Sequence, residues 1–346
     1  MPFSPEEQRN IDEWNATHAV VETDLVMQSY MRPWFENCRS LLKRNMKLHD
    51  ISELIAIYND IEGFIIAGSG PSLLDIAPSL RASRFPIIAS PTALGTLLAE
   101  GVDPDILMIA DKHDDLYYIV EALKPANIRN YSVVLAPTCS SLFWDEQSIF
   151  KPEQLYFYLP FASDRGTIET PLNDIFRALF LPEIHSFLAQ VGSASNVALE
   201  FAEWACGPID ESKRIHIAVD NCWWTGENGL PPRYRSPFAH RNADGSYSLY
   251  DPPPSRTVNA DRPSFHVGPV MTDSTMLGYA IQMVELIRQY ASTHATKAER
   301  YVLHHESAHL YEAALPGLFN RANWPHELLI SLLKIATDHT ERKERQ

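Results

Sequence analysis

Phe64-Ile65-Ile66-Ala67-Gly68-Ser69-Gly70-Pro71-Ser72-Leu73 is the stretch on which the fold turns. Four consecutive apolar residues run into a turn built on two glycines, and a helical pattern follows. An apolar run bounded by a turn is what a strand covered on both faces requires. Gly68 and Gly70 permit a tight turn and let a ligand approach the backbone closely. Pro71 suits the first turn of a helix, where its missing N–H costs nothing. Strand, glycine turn and helix start together aim backbone N–H groups and the positive helix end at a phosphate. Gly68, Ser69, Gly70, Pro71 and Ser72 are therefore the candidate phosphate-binding residues.

Two common versions of this turn do not fit. Leu73 stands where a dinucleotide-binding turn has its third glycine, and Ser90 stands where the next strand would end in an acid. Hydride transfer to a dinucleotide is disfavoured. The Gly-Lys-Ser/Thr ending of an ATPase loop is also missing.

Working outward, short apolar runs recur at Phe64–Ala67, Pro86–Ala89, Ile106–Ala110, Val133–Ala136, Leu155–Leu159 and Ile215–Val219. Helical patterns lie at 72–82, 91–100, 114–123, 171–180 and 194–205. This alternation predicts an α/β, Rossmann-like fold, a mostly parallel sheet with helices on both faces. Residues 1–60 read as an N-terminal helical segment, with helices over Asp24–Lys47 and Ile51–Tyr58, and 61–225 as the nucleotide-binding core. Residues 226–272 carry eight of the 25 prolines, which marks a long irregular connection or lid. Residues 273–346 read as a C-terminal helical region completing the core, with a helix over Asp273–Ala291 and a strand over Tyr301–His304.

The net charge of −15 opposes duplex nucleic acid and anionic membranes, so a small molecule or protein is the expected partner. Cys38, Cys139, Cys206 and Cys222 form no metal-binding spacing and read as reduced, buried thiols. The acidic start MPFSPEEQRN is unlike a signal peptide, and no apolar run is long enough for a membrane span, so a cytoplasmic location is expected.

Ligands of parallel sheets bind outside the strand carboxyl ends. Those ends carry Ser69, Ser90 and Thr92, Asp111-Lys112-His113-Asp114, Thr138, and Asp220-Asn221. Asp111 is a candidate for ribose hydroxyls or a magnesium ion, the only cofactor the sequence suggests, and equally for a helix cap. His113 is a candidate general base because an imidazole titrates near neutral pH. Asp220 shares the ambiguity of Asp111. Trp223-Trp224 follows it, suited to stacking or to core packing.

Phe64–Leu73 with Asp75, the run from Pro86 to Leu94, and Gly101–Asp111 together resemble the 6-hydroxymethylpterin diphosphokinase MptE-like domain. The resemblance extends to its bacterial branch, the motility-associated factors, a flagellin-glycosyltransferase group. The turn is also similar to that of CMP-sialic-acid-dependent sialyltransferases, which read Gly-Asn-Gly-Pro-Ser-Leu where this chain has Ser69 as second residue. Gln190–Leu199, with Gly192, Ser193, Ser195 and Asn196, resembles a second helix start that lines the family's ligand site. Ile217–Asp220, Val270–Asp273 and Val302–Glu306 extend the match weakly. The resemblance implies a transferase using a nucleotide-activated sugar, a CMP-nonulosonic acid, with a glycan or protein acceptor. ATP-dependent diphosphate transfer to a hydroxymethylpterin, the second class it implies, ranks behind that reading. A non-catalytic nucleotide- or glycan-binding protein is the third class. In the sialyltransferases a lid histidine acts as base, which makes His240, with Tyr234 and Tyr247, a candidate here.

His305-Glu306-Ser307-Ala308-His309 spells a zinc-protease motif, with Glu312 or Glu327 as a third ligand. The strand pattern just before it places the motif at a strand–loop junction rather than on a helix. Metalloprotease chemistry is therefore disfavoured.

Overall fold

The computed structural model describes residues 31–59, 61–70, 72–83, 85–161, 163–164, 168–169, 171–189 and 193–206, then 213–217, 219, 223–224, 239–241, 247–249, 264–267, 270–273, parts of 276–286, 299–303 and 320–321. Helix α1 runs to residue 44 and is followed by a two-residue strand, β1 (His49–Asp50), and helix α2 (Ile51–Ile57). Then come β2 (Gly63–Ala67), α3 (Leu73–Ile76), β3 (Ile87–Ala89), α4 (Pro91–Ala99), β4 (Ile106–Ile109), α5 (Asp115–Leu123), β5 (Ser132–Leu135) and β6 (Leu155–Phe157).

Beyond β6 the chain forms β7 (Leu159–Phe161), a short antiparallel pair β8 (Ser163–Asp164) and β9 (Ile168–Glu169), helix α6 (Pro171–Phe180), and β10 (Phe187–Ala189), which pairs in parallel with β7. Helix α7 (Ala194–Cys206) leads to β11 (Lys213–Ile217). After it come β12 (Trp223–Trp224), the hairpin β13 (Ala239–Arg241) and β14 (Tyr247–Leu249), β15 (Ser264–Val267), β16 (Val270–Asp273), β17 (Glu299–Leu303) and β18 (Asn320–Arg321).

Nine of these strands form one sheet, in the order β1-β6-β5-β4-β3-β2-β11-β17-β18, and every neighbouring pair is parallel. The α/β, Rossmann-like expectation holds. Two cores explain why β2 and β3 read as unbroken apolar runs. Along β2, Phe64 and Ile66 join the larger cluster with Val197 and Phe201 of α7, while Ile65 and Ala67 join the smaller one with Leu73 and Ile76 of α3 and Ala93 and Leu97 of α4. The Phe64 and Phe201 rings meet edge to face at 6.0 Å. Alternate residues of one strand thus serve opposite faces, so none can be polar.

Several expectations need correction. The expected connection over 226–272 contains strand pairs: β13 with β14, and β15 with β16, the latter extended by β12 into a three-stranded antiparallel sheet. Its prolines fall outside those strands, as lost ladder donors require. The helix expected from Asp273 begins later, because Asp273 closes β16; the described helical residues lie between 276 and 286. The last strands of the core, expected at Ile215–Val219 and Tyr301–His304, begin two residues earlier. The helix expected over 72–82 is α-helical only to Ile76 and then tightens to a 3-10 segment, Ala77–Ala82. Pro78 has no N–H to give to the carbonyl four residues back, so the α pattern cannot continue through it.

Candidate functional site

The strand order reverses at β2. Successive strands β3 to β6 add on one side of it, and β11, β17 and β18 on the other. Such a reversal, outside the carboxyl ends of β2 and β11, is the switch point at which ligands of open parallel sheets bind. Gly68–Ser72 leaves β2 at that point. The turn closes with the Leu73 N–H donating to the Gly70 carbonyl (3.1 Å) and the Ile76 N–H to the Ser72 carbonyl (3.2 Å). Ser72 is buried and its side chain does not cap α3. Pro71 lies outside the described residues.

Helix α7 supplies the second wall. It feeds β11, which is parallel to β2, so α7 runs against the strands and starts at their carboxyl edge. Ser193 caps that start: its carbonyl accepts from the Asn196 and Val197 N–H groups (3.1 and 3.2 Å), and its Oγ accepts from Asn196 (3.3 Å). Ser195 lies in the first turn, half-buried. Asn196 is fully buried and its amide donates to the Tyr279 carbonyl (3.1 Å), so this side chain fastens the later helix to α7. Glu200, one turn further, accepts from the Ala189 N–H and ties α7 to the end of β10.

The neighbouring strand ends continue the polar edge. Ser90 precedes α4 and pairs its hydroxyl with that of Thr92 (2.9 Å) rather than capping the helix. After β4, the Asp111 Oδ1 accepts from the Lys112 N–H (2.6 Å) and lies 3.6 Å from the His113 Nε2. Both side chains are substantially exposed. Partial desolvation, opposed by the Asp111 charge, depresses the Lys112 ammonium below its ordinary value. Among the described residues no three histidine, cysteine or carboxylate side chains gather as metal ligands, so Asp111 stands as a single carboxylate. Thr138 is buried, and its carbonyl accepts from the Asn37 amide of α1 (3.0 Å).

Gly192 and Asp220 lie outside the described residues, as do Cys222 and the zinc-motif histidines. His240 is described in backbone only, where it pairs with Ser248 in the β13–β14 hairpin. Cys38, Cys139 and Cys206 are buried and unbridged. No described helix is long and apolar enough to cross a membrane.

A second cluster stands at the carboxyl end of β1. Asp50 lies 3.5 Å from the His185 Nδ1, and the His185 Nε2 lies 3.5 Å from the Ser52 Oγ. The order carboxylate, imidazole, hydroxyl is that of a nucleophilic relay, but the hydrogen bonding is not. The Asp50 carboxylate already accepts from Ser52 N (2.8 Å), His185 N (2.7 Å), Ser186 N (2.9 Å) and Ser186 Oγ (2.5 Å). Four donors fill its lone pairs, and both imidazole contacts are at the outer limit of a hydrogen bond. The cluster is a clamp that caps α2 and holds the loop before β10.

Fold and switch point define a doubly wound, Rossmann-like α/β protein. Residues 36–207 match the family model described as 6-hydroxymethylpterin diphosphokinase MptE-like. The match begins inside α1 and ends just after α7, so β11 and the strands beyond it lie outside it. No curated protein matches the chain at a significant level.

Proposed function

We propose that the protein is a transferase that binds a nucleotide-activated sugar, a CMP-linked nonulosonic acid, across this strand edge. The observation that carries the reading is the Gly68–Ser72 turn leaving β2 at the switch point between β2 and β11, with α7 packed on β2 through Phe201 and Phe64. The donor phosphate would lie against Gly68, Ser69, Gly70, Pro71 and Ser72, with Gly192, Ser193 and Ser195 opposite and Ser90 and Thr92 beside it. His113, next to Asp111, would take the proton of the acceptor hydroxyl. The acceptor oxygen then bonds to the anomeric carbon, and the sugar–phosphate bond breaks with its electron pair leaving on CMP. Backbone N–H groups aimed at that phosphate would stabilise the charge. Asp220 and His240 are the alternative bases. The acceptor would be a glycan or a protein.

Diphosphate transfer from ATP to a hydroxymethylpterin is the second reading. The description of the matching family model favours it, and magnesium would be held near Asp111. Thermal-shift screening against CMP, CMP-sugars, ATP and pterins tests both, because a ligand that binds only the folded state must raise apparent stability. Stabilisation by CMP, with CMP released from a sugar donor, supports the first reading. Magnesium-dependent AMP release supports the second. No stabilisation by any of them at millimolar concentration refutes both.

A further inference from the structure

The segment Ala110–His113 holds the candidate base and the candidate magnesium ligand, and the Lys112 N–H donates to Asp111 Oδ1 within it. Its two ends are held from outside by consecutive residues of the loop after β5. The Cys139 thiol donates to the Ile109 carbonyl at one end (3.4 Å), and the Ser140 hydroxyl donates to the Asp114 Oδ1 at the other (2.5 Å). Cys139 and Ser140 are both fully buried. The Ser140 oxygen also accepts from the Leu142 N–H (3.3 Å), so its hydroxyl cannot rotate away without losing two bonds. Asp114, which begins α5, makes no capping bond to that helix and turns its carboxylate sideways to Ser140.

That loop hangs from α1 in turn. The Asn37 amide donates to the Thr138 carbonyl (3.0 Å) and the Cys38 thiol to the Pro137 carbonyl (3.5 Å). Four successive residues, Pro137 to Ser140, therefore connect α1 on one side with both ends of the Asp111–His113 segment on the other. Burial pushes the Cys38 thiol up to about 12 and the Cys139 thiol higher, so both remain donors through the working pH range.

We infer that Asn37, Cys139 and Ser140 are positioning residues, and that α1, through them, sets the geometry of Asp111 and His113. The inference rests on the proposed role of those two residues, and it reaches a helix that would otherwise read as mere packing. The middle of the relay, Cys38, Thr138, Cys139 and Ser140, is buried and hydrogen-bonded, which is the condition for a polar network to fix one conformation, while Asn37 is half-buried and Asp114 exposed.

Hydrogen exchange on the ligand-less protein tests the brace without reference to any ligand. In Ser140→Ala, amides of 110–118 should exchange about tenfold faster, in line with the loss of a hydrogen bond to a charged acceptor. Asp114→Ala removes the same bond from an exposed residue and guards against a Ser140 variant that fails to fold. Asp114→Asn keeps an acceptor and should exchange like wild type. Arg44→Ala is the control: it breaks a bond from α1 to the Trp144 carbonyl (3.2 Å) at the same helix–loop boundary, away from Asp114. Calorimetry with CMP then asks whether the geometry matters. Ser140→Ala and Asn37→Ala should weaken CMP about tenfold, with Arg44→Ala within about twofold of wild type. Unchanged exchange in both Ser140→Ala and Asp114→Ala overturns the brace. Equal weakening by Arg44→Ala overturns the positioning role, and so does faster exchange with unchanged CMP affinity. A wild-type protein that binds none of the nucleotides overturns the reading of the site instead, and the exchange result still decides the brace.

Discussion

Replacing Asp50 should destabilise the protein more than any surface substitution, and by an amount that depends on pH. The carboxylate is 2% exposed and accepts four hydrogen bonds, three from backbone N–H groups and one from Ser186 Oγ. Hydrogen bonds to a charged group contribute about 1.5–3 kcal/mol each, though not additively. Asp50→Asn keeps one oxygen and turns an NH2 toward the donors of the other, so about half the set is lost, roughly 3 kcal/mol. At about 2 °C per kcal/mol for a chain of this size, that is a fall of roughly 6 °C in Tm. Asp50→Ala also removes the α2 cap and should cost roughly 5 kcal/mol. Burial by itself would raise this carboxyl, but the bonds from Ser186, Ser52 and His185 outweigh it and leave it below the usual carboxylate value. A lowered folded-state value means that the stabilisation is fully present above the unfolded value, about 3.9, and is lost as pH falls through the folded one. Thermal denaturation followed by tryptophan fluorescence should therefore show a constant gap between wild type and Asp50→Asn from pH 7 to 5 and a shrinking one below pH 4. A variant within 1 kcal/mol of wild type at pH 7, or a gap that widens in acid, would refute the clamp.

Gly101 sits at φ +70° after α4, and the Val102 N–H reaches back to the Leu97 carbonyl (2.9 Å); Gly101→Ala has room for its methyl and should lose only about 1 kcal/mol, measured by urea midpoint. Gln154 is buried, donates to the Ile128 and Tyr131 carbonyls (2.8 and 2.9 Å) and accepts from the Lys151 N–H (3.1 Å), so Gln154→Ala should cost about 2–3 kcal/mol in the same assay. Tyr131→Phe loses the bond to Asp103 Oδ1 (2.6 Å) and should cost about 1–2 kcal/mol; burial raises this phenol well above its usual value, so the loss should be the same at pH 7 and pH 9. Nucleotide binding that calorimetry finds weakened by EDTA in wild type should lose that sensitivity in Asp111→Asn.

The sheet was legible because β2, β3 and β4 are buried at every position. Phe64–Ala67, Ile87–Ala89 and Ile106–Ile109 have no polar position to blur the run, and α4, α6 and α7 follow their helical patterns closely. Strand β1 was not legible. Two residues, His49 and Asp50, carry no periodicity, and what places them is pairing with Tyr156 and Phe157, more than 100 positions away. The antiparallel strands of 239–273 were hidden by the prolines around them, which dominate any local reading. At the site, the turn and the polar strand ends could be read directly, because residue type there follows from position in the fold. The brace could not. Asn37, Cys139 and Ser140 are ordinary residues in sequence, and only the three-dimensional meeting of α1 with the end of β5 gives them a common task.

The parallel sheet also orders events during synthesis. Strand β2 pairs with β3 on one side soon after both leave the ribosome, but its other neighbour is β11, where Lys213 lies beside Gly63, 150 positions earlier. At about 5–20 residues per second, that edge stays open for roughly 10–30 s. During that interval Phe64-Ile65-Ile66-Ala67 offers unpaired backbone on its most apolar stretch, a template for any other strand nearby. The growing chain is thus at greatest risk of aggregation at the strand that later frames the switch point, until β11 pairs along it.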